Sequence, residues 1–154
     1  MVAKTIVLDA GPLGLATNPR MSPQSATCLR WIQTALSSGH RVILPEIADY
    51  EVRRELLRAE KYAGLARLDA LAQEIEYLPI TTVAMRVAAQ LWAQTRQRGK
   101  PTADDRALDG DVILAAQVLT SEYPEAVIAT TNVGHLSLFV EAMLWTNFDA
   151  GETP

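Results

Sequence analysis

Three acidic residues stand at positions from which a chain of this pattern could bring them together. Asp9 ends the short apolar, β-branched run Lys4-Thr5-Ile6-Val7-Leu8. Glu51 lies a turn or so into the helical stretch after Arg41-Val42-Ile43-Leu44, and Asp111 lies in the first turn of the stretch leading toward Val127-Ile128-Ala129-Thr130. Carboxylate oxygens are the ligands that hard divalent cations such as Mg²⁺ and Mn²⁺ prefer. A cation so held can activate a water and neutralise charge on a phosphodiester. Without the cation, gathered carboxylates repel one another and their pKa values rise. Taken singly, each acid also has a structural reading: Asp9 as a turn residue at a strand end, Glu51 as one charge on a solvated helix face, Asp109 and Asp111 as acids at the positive end of a helix dipole. Their chemistry therefore depends on the elements that carry them.

Those elements alternate. Thr5 to Leu8 reads as the central buried strand, stopped by the loop-forming Ala10-Gly11-Pro12. Ser22-Pro23 offers an N-cap with proline at the first helical position, and Ala26, Leu29, Trp31, Ile32, Ala35 and Leu36 supply an apolar face up to Gly39. Arg41 to Leu44 is a second strand closed by Pro45. Helical spacing follows from Ile47 to Ala59, and after an interruption at Gly64 it resumes through Leu65, Leu68 and Leu71. Glu76 to Ile80 predicts a third strand and Thr82 to about Arg98 a long helix, ended by Gly99-Lys100-Pro101. A polar loop, Thr102 to Asp109, precedes Val112 to Leu119, which is apolar on nearly all sides and belongs against the sheet. Val127 to Thr130 is a fourth strand and Met143-Leu144-Trp145 a weaker fifth. Strands separated by helices imply a parallel sheet covered on both faces, with ligands outside the carboxyl ends of the strands, where the three acids fall.

The 154 residues, 49% hydrophobic, suit one domain with a full core, from about residue 4 to 148. The single cysteine, Cys28, excludes an internal disulfide and a cysteine-rich zinc site, and its helical setting marks it as a small core residue. No secretory leader or membrane-length apolar run is visible, so the expected location is cytoplasmic. The net charge of −4 excludes a broadly basic nucleic-acid-binding surface. A polyanion would have to be held by metal ions or by a local cluster. Arg53, Arg54, Arg58, Lys61 and Arg67 form one such cluster and Arg96, Arg98 and Lys100 another, although both also read as solvated helix faces.

In combination, Ile6-Val7-Leu8-Asp9, Leu44-Pro45-Glu46-Ile47-Ala48-Asp49-Tyr50-Glu51-Val52-Arg53-Arg54, Asp111-Val112-Ile113-Leu114-Ala115-Ala116 and Ile128-Ala129-Thr130-Thr131-Asn132 resemble the PIN-domain family, especially toxins of the VapC type. The resemblance runs in order from about Thr5 to Trp145. It implies a three-layer α/β/α fold with a five-stranded parallel sheet in the order 3-2-1-4-5. It implies Asp9, Glu51 and Asp111 as catalytic ligands of Mg²⁺ or Mn²⁺. From the residues themselves, Asn132 is added as a catalytic candidate that can orient a metal-bound water or a phosphate, and Thr130, Arg53 and Arg54 as candidate substrate contacts. The activity implied is endonucleolytic hydrolysis of RNA, with a small antitoxin protein as partner and a homodimer as the assembly.

The chain also departs from the family's pattern. A fourth acid often follows the fourth strand, where Thr130-Thr131-Asn132-Val133-Gly134-His135 offers an amide and an imidazole instead. The family often has a hydroxyl residue directly after the first acid, a place taken by Ala10 and Gly11. Asp109 is a substitute ligand ranked below Asp111, and His135 a candidate proton donor or phosphate contact. His40 falls at the opposite end of the sheet from the acids. A non-catalytic RNA- or protein-binding module is the alternative. A phosphoacceptor domain is disfavoured, because the third strand ends without an acceptor aspartate and no lysine follows Lys100. Tyr50, Leu57, Tyr62, Leu65, Leu68, Leu91 and Trp92 are more apolar side chains than one sheet face would cover, so part of them is expected at a partner surface.

Overall fold

The computed structural model describes residues 3–98 and 105–151. Strands β1 (Thr5–Leu8), β2 (Arg41–Pro45), β3 (Glu76–Leu78), β4 (Val127–Thr130) and β5 (Ala142–Leu144) form one sheet in the order β3-β2-β1-β4-β5, every pair parallel. The period-two alternation of each strand divides the core. Ile6 and Leu8 of β1, Val42 and Leu44 of β2 and Val127 and Ala129 of β4 pack on one face with Leu13, Cys28, Ile32 and Leu68. Val7, Ile43 and Ile128 point the other way, against Leu114, Val118 and Leu136. Helices α1 (Ala10–Thr17), α2 (Pro23–Ser37) and α4 (Tyr62–Glu74) contribute to the first layer. On the second, α6 (Asp105–Leu119) lies on the sheet, and α5 (Thr82–Gln97) packs on it through Ala84, Ala88, Leu108, Val112 and Ala116. Helix α3 (Glu46–Arg58) leaves the carboxyl end of β2 at Pro45 and sends Val52 and Leu56 into the first layer and Ile47 into the second. This is the three-layer arrangement and strand order expected.

Four local expectations are corrected. Ala10-Gly11-Pro12 is the first turn of α1 and not a loop. Asp9 caps that helix, and Pro12 is tolerated there because first-turn N–H groups have no helical partner. Gly64 does not interrupt α4: a Cβ there would lie 2.7 Å from Leu56 Cδ2 and 3.3 Å from the Thr17 carbonyl, so the glycine is what lets α4 approach α1 and α3. Strand β3 stops at Leu78, where the Ile80 N–H turns to the Glu46 carboxylate (2.7 Å). Asp105 to Asp109 is helical, the start of α6, while Gly99-Lys100-Pro101 and the first residues of the proposed polar loop fall outside the described residues. Cys28 is the buried core residue expected; its thiol donates to the Pro12 carbonyl, and burial pushes its pKa up to about 12. Of the surplus apolar side chains, Leu68 is fully buried and Leu65 and Leu91 pack on the core, whereas Tyr50, Leu57, Tyr62 and Trp92 are exposed. Among the described residues no helix is long and apolar enough to cross a membrane.

Candidate active site

The carboxyl ends of β1 and β4 fix the first acid. The Asp9 N–H donates to the Ala129 carbonyl (2.9 Å), extending the β1–β4 ladder by one residue and holding the Asp9 backbone at the sheet edge. One carboxylate oxygen accepts the Ala10 N–H (2.7 Å) and the other the Thr130 hydroxyl (2.6 Å). Both bonds favour the ionised form, yet burial outweighs them, and the pKa of Asp9 is raised. Thr130, expected as a substrate contact, is 1% exposed; its hydroxyl serves Asp9 and accepts the Asn132 N–H (3.1 Å).

Glu51 projects from α3 toward Gly110 of α6. A Cβ on Gly110 would lie 3.3 Å from each Glu51 carboxylate oxygen, so the missing side chain at position 110 is what allows this carboxylate to approach α6. Desolvation, then Asp9, raises the Glu51 pKa; Arg54 opposes, its Nη2 4.0 Å from Glu51 Oε2, and Asp111 raises it further. Asp111 lies one residue beyond Gly110. Burial and the charge of Asp9 push its pKa up to about 6 against a backbone hydrogen bond from His135. The three acids thus come from the end of β1, the middle of α3 and the second turn of α6. Asp111 is not in the first turn expected of it, because the helix already begins at Asp105. Asp9 raises the pKa of both other acids, and Asp111 that of Glu51.

Around Asp111 the loop after β4 turns at Gly134, where φ is +47°. Asn132 Oδ1 and Asp111 Oδ2 lie 3.6 and 3.8 Å from where a Cβ of Gly134 would be, so the amide and the carboxylate flank the same glycine. His135 Nδ1 is 3.9 Å from Asp111 Oδ2. Asp109 is exposed, one residue before Gly110, while Asp111 is half-buried. Gly110 and Gly134 were not among the residues singled out from sequence, and the Asp-Gly-Asp pattern at 109–111 was the available signal for the first.

The basic residues divide. Arg53 is locked between Asp49 and Asp69, at 2.8 Å from each, and is not brought to the acids. Arg58 pairs with Glu55 (2.9 Å) and Arg67 donates to the Asn18 carbonyl (3.1 Å). Arg54 stays beside Glu51 and, with Lys61, borders an open cleft of about 450 Å³ between α1 and α3 that Glu51 and Gly11 also line. Arg96 lies over the Trp92 ring, Arg98 is exposed, and Lys100 falls outside the described residues. His40 is buried at the amino end of the sheet, accepting the Lys4 N–H at Nδ1 (3.0 Å), as its position predicts.

Asp9, Glu51 and Asp111 form an all-oxygen donor set, the chemistry that Mg²⁺ and Mn²⁺ take. Among the described residues no three His, Cys, Asp or Glu side chains are drawn together tightly enough to hold an ion by themselves.

No protein-family model matches the sequence, and no curated protein matches it. Solved structures do match, by fold. A chain of VapBC2 from Rickettsia felis, bound to a DNA fragment from their promoter, aligns with a TM-score of 0.65 at 14% identity over 90% of this chain and 98% of that one. A chain of DNA-bound VapBC from Salmonella typhimurium gives 0.64 at 17%, covering 94% and 99%, and one of VapBC-1 from nontypeable Haemophilus influenzae 0.61 at 15%, covering 93% and 99%. These likenesses establish a common fold over nearly the full length of each chain.

Proposed function

We propose that this chain is a Mg²⁺- or Mn²⁺-dependent endoribonuclease of the PIN type, acting as the toxin of a type II toxin–antitoxin pair. The observation that carries the catalytic reading is the setting of the carboxylates: Asp9 after β1, Glu51 on α3 and Asp111 on α6 all have pKa values raised by burial, and the charge of Asp9 raises those of both other acids. Evolving a fold with like charges half-buried together costs stability, and an ion site is the chemistry that makes use of it. The toxin reading has a weaker, fold-level support, the likeness to chains of VapBC structures, from which a small antitoxin partner and a homodimer follow by analogy.

Asp9, Glu51 and Asp111 would hold the cation, which supplies activation of a water and neutralisation of phosphate charge. Thr130 and the Ala10 N–H orient Asp9, each taking one carboxylate oxygen and leaving the remaining lone pairs free for ligation. Asn132, exposed beside Asp111, can donate its amide to a phosphate oxygen, a role that does not require a fourth acid. Arg54 offers the guanidinium nearest to Glu51.

The test is cleavage of single-stranded RNA by purified protein in Mn²⁺ or in EDTA. Cleavage in Mn²⁺, absent in EDTA and absent from Asp9→Asn, is the expected result. RNA left intact by the native protein in Mn²⁺ would overturn it. One observation favours a second reading, a non-catalytic RNA- or protein-binding module: Asn132 stands where a fourth acid would tighten an otherwise open cluster. Binding of RNA without metal-dependent cleavage is the result that reading expects.

A further inference from the structure

Beside Glu51 the outer face of α3 carries aromatic, cationic and apolar side chains at helical spacing: Tyr50, Arg54 and Leu57, with Lys61 just past the helix end. Tyr50 is 56% exposed, a large value for an aromatic ring next to a half-buried acid. The Arg54 guanidinium lies over that ring, 5.2 Å from its centroid, while Nη2 stands 4.0 Å from Glu51 Oε2. One side chain therefore links an exposed aromatic face to the acid edge.

A protein of net charge −4 that handles a polyanion gains little from its overall field. Nearby cations add less than their number suggests, because Arg53 and Arg58 are already held by carboxylates at 2.8 and 2.9 Å. Stacking of a base on an aromatic ring does not depend on net charge, and it is open only to bases that are not paired inside a duplex. We infer that Tyr50, with Arg54, forms a nucleobase subsite that receives an unpaired base of RNA flanking the phosphodiester at the Asp9–Glu51–Asp111 edge. This inference rests on the ribonuclease reading. Tyr50 presents the ring, and Arg54 lies within reach of both the base and the adjoining phosphate. The charge of the stripe, with Arg54 and Lys61 beside the ring, is that of a surface for a polyanion, and a second copy of the chain is the outcome that sedimentation distinguishes.

Fluorescence anisotropy with a labelled 12-nucleotide single-stranded RNA in EDTA tests the subsite. Tyr50→Ala is expected to weaken binding on the order of tenfold, the effect of losing one base–aromatic stack. Tyr50→Phe, which keeps the ring, restores it to within about twofold. An abasic oligomer of the same length is expected to bind native protein and Tyr50→Ala equally. In Mn²⁺ the Tyr50→Ala loss falls on KM and leaves kcat nearly unchanged. Unaltered binding by Tyr50→Ala, or an equal loss in Tyr50→Phe, overturns the inference. So does a sedimentation result in which the native chain is a dimer and Tyr50→Ala a monomer, because the ring would then belong to a protein contact. Cleavage that is indifferent to Tyr50 leaves the ribonuclease reading standing and sinks the subsite; Tyr50-dependent binding without cleavage does the reverse.

Discussion

Asp49 and Glu51 leave α3 two residues apart and enter opposite electrostatic environments. Asp49 is 8% exposed, yet its carboxylate accepts the Tyr77 hydroxyl (2.7 Å) and pairs with Arg53 (2.8 Å), which continues to Asp69 on α4. Helix α3 is thereby tied to β3 and to α4 by a satisfied network. Glu51 is more exposed, but burial, Asp9 and Asp111 raise its pKa, opposed by Arg54 alone among the causes that move it. A more deeply buried acid is thus the better compensated one. Burial by itself does not mark a functional carboxylate; burial among like charges does.

The contrast predicts opposite signs for removing charge on the two faces. Asp49→Ala would leave the Tyr77 hydroxyl without its acceptor and release Arg53 from α3, a loss of about 2–3 kcal/mol of unfolding free energy. Asp49→Asn, which keeps an acceptor for Tyr77, should lose less. Urea denaturation of the metal-free protein checks both. An Asp49→Ala variant as stable as the native chain would mean that this network contributes no more than solvent does.

Much of this arrangement was legible beforehand, for physical reasons that differ by residue. Ile6, Val7 and Leu8 are buried on both faces of the sheet and so form a continuous β-branched and apolar run, the pattern of a central parallel strand. Asp9 was visible because a strand end is where a parallel sheet exposes its carboxyl edge, whereas Asp111 looked like a first-turn residue because the polar run before it hides the helical start at Asp105. Helix α1 was not, since Ala-Gly-Pro-Leu-Gly has poor intrinsic helicity and forms here because Asp9 caps it and Pro12, Leu13, Ala16 and Thr17 are buried. The fate of Arg53 was equally hidden: Asp49 is a local partner at i−4, but Asp69 arrives only when α4 folds back. Thr130 looked like a substrate contact because its own hydrogen bond to Asp9 spans 121 positions of sequence.

On the acid side the metal-free protein should gain from losing a charge. The Asp111 carboxyl takes up a proton more readily in the folded chain than in the unfolded one. Its contribution to stability is therefore complete below the ordinary value of 3.8 and is lost as the pH rises through about 6. At pH 7 Asp111→Asn is expected to raise the unfolding free energy by about 2 kcal/mol, with little effect at pH 3.5. The raised pKa values of Asp9 and Glu51 act in the same direction. Millimolar Mn²⁺ should raise the Tm of the native chain and do so less in the variant, by preferential binding to the folded state. Thermal melts at the two pH values, with and without Mn²⁺, decide it; an Asp111→Asn variant less stable than the native chain at pH 7 would place the acid in a compensated network like that of Asp49.

The smallest effect concerns whether the acid edge is assembled by close fit as well as by charge. A Cβ on Gly11 would lie 2.6 Å from Thr131 Cγ2 and 2.9 Å from Thr131 Cβ, and nearer still to the hydroxyl oxygen. The first turn of α1, which begins at the Asp9 cap, is therefore seated directly on the residue that follows Thr130. In an ordinary exposed helix Gly→Ala would stabilise by nearly ~1 kcal/mol, so the sign of the change separates propensity from packing. Gly11→Ala is expected to destabilise by about 1 kcal/mol, because Thr131 is exposed and can yield part of the overlap. Thr131→Gly removes every atom of that clash, and the double variant Gly11→Ala/Thr131→Gly should recover the loss, apart from what a flexible glycine costs in the loop. Denaturation of the two single variants and the pair measures the coupling. Additive effects would mean that α1 and the post-β4 loop meet without constraint, and that charge alone distinguishes this edge from the network on the other face of α3.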